Sequence, residues 1–115
     1  MLRGEIRLVD FEPARGTEVD KRRPAVIVSN DAANLRAALL GRGVITVVPL
    51  TGNVARVFGF QTLLPHERTG LRADSKAQAE QIRSVDLARV GPVLGRADLA
   101  LMTLVDGAVR LHLSL

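Results

Sequence analysis

Hydrophobic and polar positions alternate from the start of the chain. In "GEIRLVD", Ile6 and Leu8 fall on one side of an extended segment and Arg7 and Val9 on the other, the period of a half-exposed strand. "FEPARGTEVDKRR" breaks that period. Pro13, Gly16 and their polar neighbours predict a loop longer than a plain hairpin needs. "PAVIVS" is a short β-branched run and predicts a central strand. "NDAANLRAALLGRG" predicts a short helix, capped by Asn30 or Asp31 and ended by Gly41 or Gly43. "VITVVPL" is the most strand-like segment, and Pro49 is expected to close it or sit at its edge, because proline donates nothing to a ladder.

Farther on, "TGNVARV" predicts a turn, "FGFQTLL" another strand and "PHERTGLRAD" a polar loop. "SKAQAE" alternates, with Lys76, Gln78 and Glu80 on one face and small residues on the other, and "QIRSVD" continues as strand. From Asp98 the period changes. Leu101, Leu104, Val105, Ala108, Leu111 and Leu115 share one helical face, opposite a polar stripe that includes Thr103, Asp106 and Arg110. That face wants more cover than one small sheet offers, which predicts a homodimer. The whole chain, residues 1–115, reads as one domain: mainly antiparallel β with α, a small bent barrel with a short insert helix and a C-terminal helix.

Composition narrows the function classes. The absence of cysteine excludes disulfides and thiolate metal sites, and permits a reducing cytoplasm. "MLRGEIRLVD" is not a secretory signal, and no apolar run approaches the ~20 residues of a membrane span. The formal net charge of +4 favours a polyanionic partner, nucleic acid or an acidic protein segment. Phe11, Phe58 and Phe60 are the only aromatic residues, so recognition of nucleic acid is expected to rest on hydrogen bonds and charge more than on stacking.

The chemistry on offer is limited. There is no P-loop and no GxGxxG, and no carboxylates or histidines sit at metal-ligand spacing, so no metal and no cofactor are expected. His66 reads as a solvated loop residue and His112 as a core or interface histidine. Arg23 stands out because it precedes Pro24, which pushes it out of the α region into an extended conformation. A guanidinium fixed in this way suits phosphate, being planar, always charged and able to bind two oxygens. The alternative is a surface ion pair with Glu18 or Asp20. Thr51 follows the strongest strand and either lines a site at the strand end or serves the turn.

Four segments together, "RGEIRLVDFEPARGTE", "RRPAVIVSN", "VVPLT" and "AEQIRSVD", resemble the MazF/PemK family of toxin–antitoxin endoribonucleases in order and spacing. The resemblance implies an SH3-like, CcdB-like β-barrel working as a homodimer. It implies metal-independent cleavage of single-stranded RNA, as by an mRNA interferase, with the 2′-OH attacking the adjacent phosphate to leave a 2′,3′-cyclic phosphate and a 5′-OH. A cognate antitoxin with an acidic C-terminal tail would neutralise it. By position, the family's catalytic arginine and threonine fall on Arg23 and Thr51. Glu80 and Gln81 match positions that contact RNA bases, Ser75 a polar position near them and Glu18 a family glutamate in the loop beside the site, all on the RNA-binding side, and Lys21 and Arg22 would add attraction. Thr17 and Gln78 stand where some relatives carry histidine and arginine, and Val19 where many carry glutamine; the difference at Gln78 bears on which sequence is cut, and more of the acid–base work falls on Arg23 and Glu18. Two other readings of the same barrel remain: a CcdB-like gyrase poison, and an RNA-binding module that leaves RNA intact.

Overall fold

The computed structural model describes residues 1–11 and 22–115; Glu18 and Lys21, with Thr17, Val19 and Asp20, lie outside the described residues. Seven strands form one antiparallel sheet: β1 (Glu5–Asp10), β2 (Arg22–Ile27), β3 (Val44–Thr51), β4 (Gln61–Leu64), β5 (Ser75–Gln78), β6 (Arg83–Asp86) and β7 (Val90–Arg96). The strand path is β4-β5-β3-β2-β1-β7, with β6 paired to β3 beside β5. Three helices accompany it: α1 (Asp31–Leu40), the single turn α2 (His66–Thr69) and α3 (Leu99–Leu113).

β2 and β3 are apolar without alternation because both of their faces are buried. Val26, Val48 and Leu50 face one core with Ile6, Leu64 and the α3 residues Leu101, Met102 and Val105. Ala25, Ile27 and Val47 face the other, with Val9, Phe11, Ile45, Val85 and Ala37 of α1. β1 serves both cores and keeps the expected alternation, Ile6 in the first and Val9 in the second. Its register against β7 shifts twice, between Ile6 and Arg7 and between Arg7 and Val9. Ile6 and Val9 are fully buried, whereas Leu8 is half-buried.

The caps of α1 are those the sequence suggests. The Asn30 side chain accepts from the Ala33 N–H, and Gly41 ends the helix at a φ of 67°. Asp98 caps α3 by accepting from the Leu101 N–H at 2.9 Å. The buried stripe of α3 is rotated from the expected one: Leu101, Met102, Val105 and Ala108 face the sheet, while Leu104 and Leu111 are exposed.

The expected barrel is realised as an open sheet, because its end strands β4 and β7 exchange no ladder. The helical turn α2 stands in the polar loop predicted for residues 65–74, beside β7. Gly95 of β7 comes so close to it that an added Cβ would lie 2.4 Å from the Thr69 carbonyl oxygen. β7 itself was not foreseen, since "VGPVLGR" carries glycine and proline where a strand rarely does.

Candidate active site

Arg23 and Thr51 are brought together by strand register. Ala25 pairs with Pro49 where β2 meets β3. Continuing that antiparallel register by two residues sets Arg23 opposite Thr51 on the same face. Arg23 is therefore the second residue of β2, inside the strand and not before it, and Thr51 is the last residue of β3. β3 also runs through Pro49 without ending there. It pairs with β6 as far as Val47 and with β5 from Leu50, so the missing N–H of Pro49 falls in the gap between the two partners.

Pro24 explains what holds Arg23. The Val28 N–H donates to the Thr46 carbonyl at 3.0 Å, so along β2 the even-numbered residues direct their backbone groups to β3. Pro24 is the one such residue without an N–H, and its register partner would be Leu50. The Leu50 carbonyl thus loses its ladder donor. The Arg23 guanidinium takes that place, donating from Nε at 3.3 Å and Nη2 at 3.0 Å. Nη2 also donates to Gln78 Oε1 at 2.6 Å. The fork is fixed on two sides, and Nη1 makes no hydrogen bond among the described residues.

Gln78 and Lys76 alternate on the same face of β5 as expected, but Glu80 does not continue the strand. Ala79–Gln81 form a 3-10 turn. Lys76 pairs with Thr51 in register, and Gln78 with Gln61 of β4. Lys76 is buried and its Nζ donates to the Arg56 carbonyl at 2.6 Å, tying the loop that follows β3 down onto β5. Gln61 Nε2 donates to Glu80 Oε2 at 2.6 Å. Glu80 Oε1 is buried without a hydrogen-bond partner among the described residues. The Thr51 hydroxyl oxygen accepts the Asn53 N–H at 3.3 Å, which leaves its own hydrogen to donate elsewhere.

Ser75 lies on the other side of Thr51. With Pro24, Gly52, Arg72 and Leu94 it lines a cavity of about 520 Å³, which neither Arg23 nor Thr51 lines. Arg22 is exposed at the start of β2, and Gln81 is exposed at the edge of the 3-10 turn. The structure thus gathers Arg23, Thr51 and Gln78 on one face, with Glu80 reaching it through Gln61, while Ser75 alternates to the other face of β5. Sequence reasoning missed Gln61, Lys76 as an anchor, and Arg56. Each owes its place to strand pairing between segments far apart in the chain.

No group of three or more histidine, aspartate or glutamate side chains among the described residues is placed to hold a metal ion. No helix among them is long and apolar enough to cross a membrane. A fixed guanidinium beside a hydroxyl and an amide is an arrangement that can hold a phosphodiester and stabilise charge that develops on it.

Known proteins share this fold. The family described as PemK-like, MazF-like toxin of type II toxin–antitoxin system matches residues 2–113. Endoribonuclease MazF9 of Mycobacterium tuberculosis is 56% identical over 115 residues, covering 100% of this chain and 98% of that protein. Endoribonuclease PemK of Escherichia coli is 37% identical over 110 residues, covering 93% of this chain and 77% of that protein. Among solved structures, a MazE–MazF crystal structure from Deinococcus radiodurans is similar at a TM-score of 0.79 and 25% identity, over 100% of this chain and 96% of that one. An endoribonuclease in complex with its cognate antitoxin from a mycobacterial species shares the fold at a TM-score of 0.77 and 23% identity, over 100% and 96% of the two chains.

Proposed function

The chain belongs to the PemK-like, MazF-like toxin family of type II toxin–antitoxin systems, and on that premise we propose that it is a cytoplasmic endoribonuclease toxin that cuts single-stranded RNA at a short sequence. The observation that carries this reading is the Arg23 guanidinium, anchored by the Leu50 carbonyl and Gln78 and set opposite Thr51. Bound RNA places its scissile phosphate between them. The ribose 2′-oxygen loses its proton to solvent and forms a bond to phosphorus. The bond from phosphorus to the 5′-oxygen breaks, and that oxygen takes a proton. The products are a 2′,3′-cyclic phosphate and a 5′-OH, and no metal is required.

Arg23 stabilises the extra negative charge of the phosphorane through Nη1, which makes no hydrogen bond among the described residues. Removing one such fixed donor typically costs about 10²–10³ in rate. Thr51 donates its hydroxyl hydrogen to a phosphate oxygen and sets the register of the strand. Ser75, Gln78, Glu80 and Gln81 line the path of the flanking nucleotides, and Arg22 adds attraction for the backbone.

The toxin works as a homodimer restrained by a cognate antitoxin. Support for the dimer comes from α3, where Leu99, Leu104 and Leu111 are 88%, 58% and 61% exposed. Support for the antitoxin comes from the complexes among similar structures. An acidic tail would compete with RNA for the same arginines. Incubating the purified protein with a long single-stranded RNA in EDTA, then mapping the new ends, tests the reading. Discrete cuts with 5′-OH ends are expected. Intact RNA, or random ends, would return the chain to the gyrase-poison or binding-module readings.

A further inference from the structure

The few aromatic residues of this chain argue against base stacking, yet the fold gathers two of its three phenylalanines at one exposed place. Phe58 and Phe60 are stacked, their ring centroids 5.4 Å apart and their planes 4° from parallel. Phe58 is 43% exposed, in the loop between β3 and β4. The Arg56 guanidinium lies 5.5 Å from the centre of its ring and the Lys76 Nζ 5.9 Å from it. A flat π surface bordered by two cations is the arrangement with which proteins hold single-stranded nucleic acid.

The position of this platform is fixed by polar anchors. The Phe58 N–H donates to Gln61 Oε1 at 3.1 Å. Lys76 clamps the neighbouring Arg56 carbonyl. Both anchors belong to the active face, since Gln61 is the register partner of Gln78 and Lys76 that of Thr51. The ring is therefore tied to the residues that hold Arg23, one strand away from the site of the scissile phosphate. Phe58 belongs to neither buried core.

We propose that Phe58 is a base-stacking subsite that receives the nucleobase of a nucleotide flanking the scissile phosphate, with Arg56 turning to that nucleotide's phosphate. Stacking of a base on an aromatic ring outweighs an exposed cation–π contact, so an arriving base displaces Arg56 from the ring. Every base has a π face, so the subsite adds affinity and fixes the strand's register without reading sequence by itself. The inference rests on the ribonuclease reading above.

The chain contains no tryptophan and no tyrosine, so F58W introduces a single emitter at the platform. Its emission is titrated with a 2′-O-methyl RNA oligonucleotide of the mapped cleavage sequence, which binds and is not cut. In parallel, cleavage kinetics are measured for wild type, F58A, F58L and F58W, with thermal unfolding of each. The expected result is saturable quenching of F58W. F58A and F58L raise KM about tenfold with kcat within about twofold, while F58W keeps the wild-type KM. F58L retains apolar volume and loses the π face, so it separates stacking from packing. Wild-type KM in both F58A and F58L, or F58W emission indifferent to an oligonucleotide that inhibits the wild type, overturns the subsite alone. A wild type that leaves RNA intact overturns the ribonuclease reading, and the subsite falls with it.

Discussion

Arg23 occupies the hydrogen-bonding place that Pro24 leaves vacant at Leu50. Two guanidinium nitrogens, at 3.0 and 3.3 Å, satisfy a carbonyl that an ordinary residue at position 24 would satisfy through its backbone. The dipeptide works as a unit: the proline removes a donor and the arginine supplies its own. P24A restores the backbone N–H and sets it in competition with Arg23. We expect cleavage to fall about tenfold while stability holds or rises by up to about 1 kcal/mol, one net hydrogen bond. Cleavage rate and chemical denaturation of the same sample check this. Unchanged cleavage would show that Leu50 does not position the guanidinium.

Gln78 holds the other side of the fork at 2.6 Å. Q78A leaves Nη2 with one partner and widens the range of guanidinium positions. The expected effect is a drop in kcat of about 10–100-fold with KM little changed, since positioning acts on the transition state. Q78E places an anion against the cation and takes up the charge needed by the phosphorane, so it should fall further than Q78A. Steady-state kinetics of the two variants on one RNA distinguish them.

Two glycines give a paired test of the framework. G95A drives a Cβ into the Thr69 carbonyl at 2.4 Å, where α2 packs beside β7, and should destabilise by about 1–3 kcal/mol. At Gly107, in the middle of α3, a Cβ meets nothing within 4 Å, and G107A should stabilise by about 1 kcal/mol. Opposite signs in urea denaturation are the prediction. A neutral G95A would mean that the contact between α2 and β7 is loose in solution.

Acid stability should depend on Glu5. Burial alone would raise its carboxyl, but the Leu2 N–H and the Arg7 guanidinium outweigh that and hold it below the ordinary glutamate value. Arg7 Nε donates to it at 3.0 Å, and Arg96 approaches at 3.4 Å. A depressed folded-state value stabilises fully above the unfolded value of about 4.3, and that stability is lost as pH falls through the folded one. E5Q should therefore lower stability by about 1–2 kcal/mol at pH 7 and flatten its decline below pH ~4. Thermal midpoints across pH 3–7 check both parts.

Much of the framework could be read from the pattern of side chains. Helix α1 with its Asn30 and Gly41 caps, the strand character of "VITVV" and the Asp98 start of α3 follow from local rules that tertiary packing did not overturn. What escaped was set by contacts distant in sequence. Val9 lies on the face of β1 that the pattern leaves half-exposed, and it is buried because α1, β3 and β6 cover that face as a second core. The buried stripe of α3 turned toward Met102 because of where the sheet lies, which no helical period encodes. At the site, the extended backbone of Arg23 was legible from Pro24, and the family resemblance marked Thr51. The clamp of Lys76 on the loop carrying Phe58 was not, since it needs the pairing of β3 with β5.

The role proposed for the Arg23 guanidinium, stabilising charge on the scissile phosphate, is decided by the cleavage rate of R23A and R23K beside wild type, on one defined RNA, with circular dichroism and thermal unfolding of each. R23A should lose about 10³-fold or more in kcat/KM, and R23K should recover little of it because an ammonium lacks the fork that Leu50 and Gln78 hold. Both variants should keep the fold. An R23A that stays folded and cuts within tenfold of wild type would contradict it.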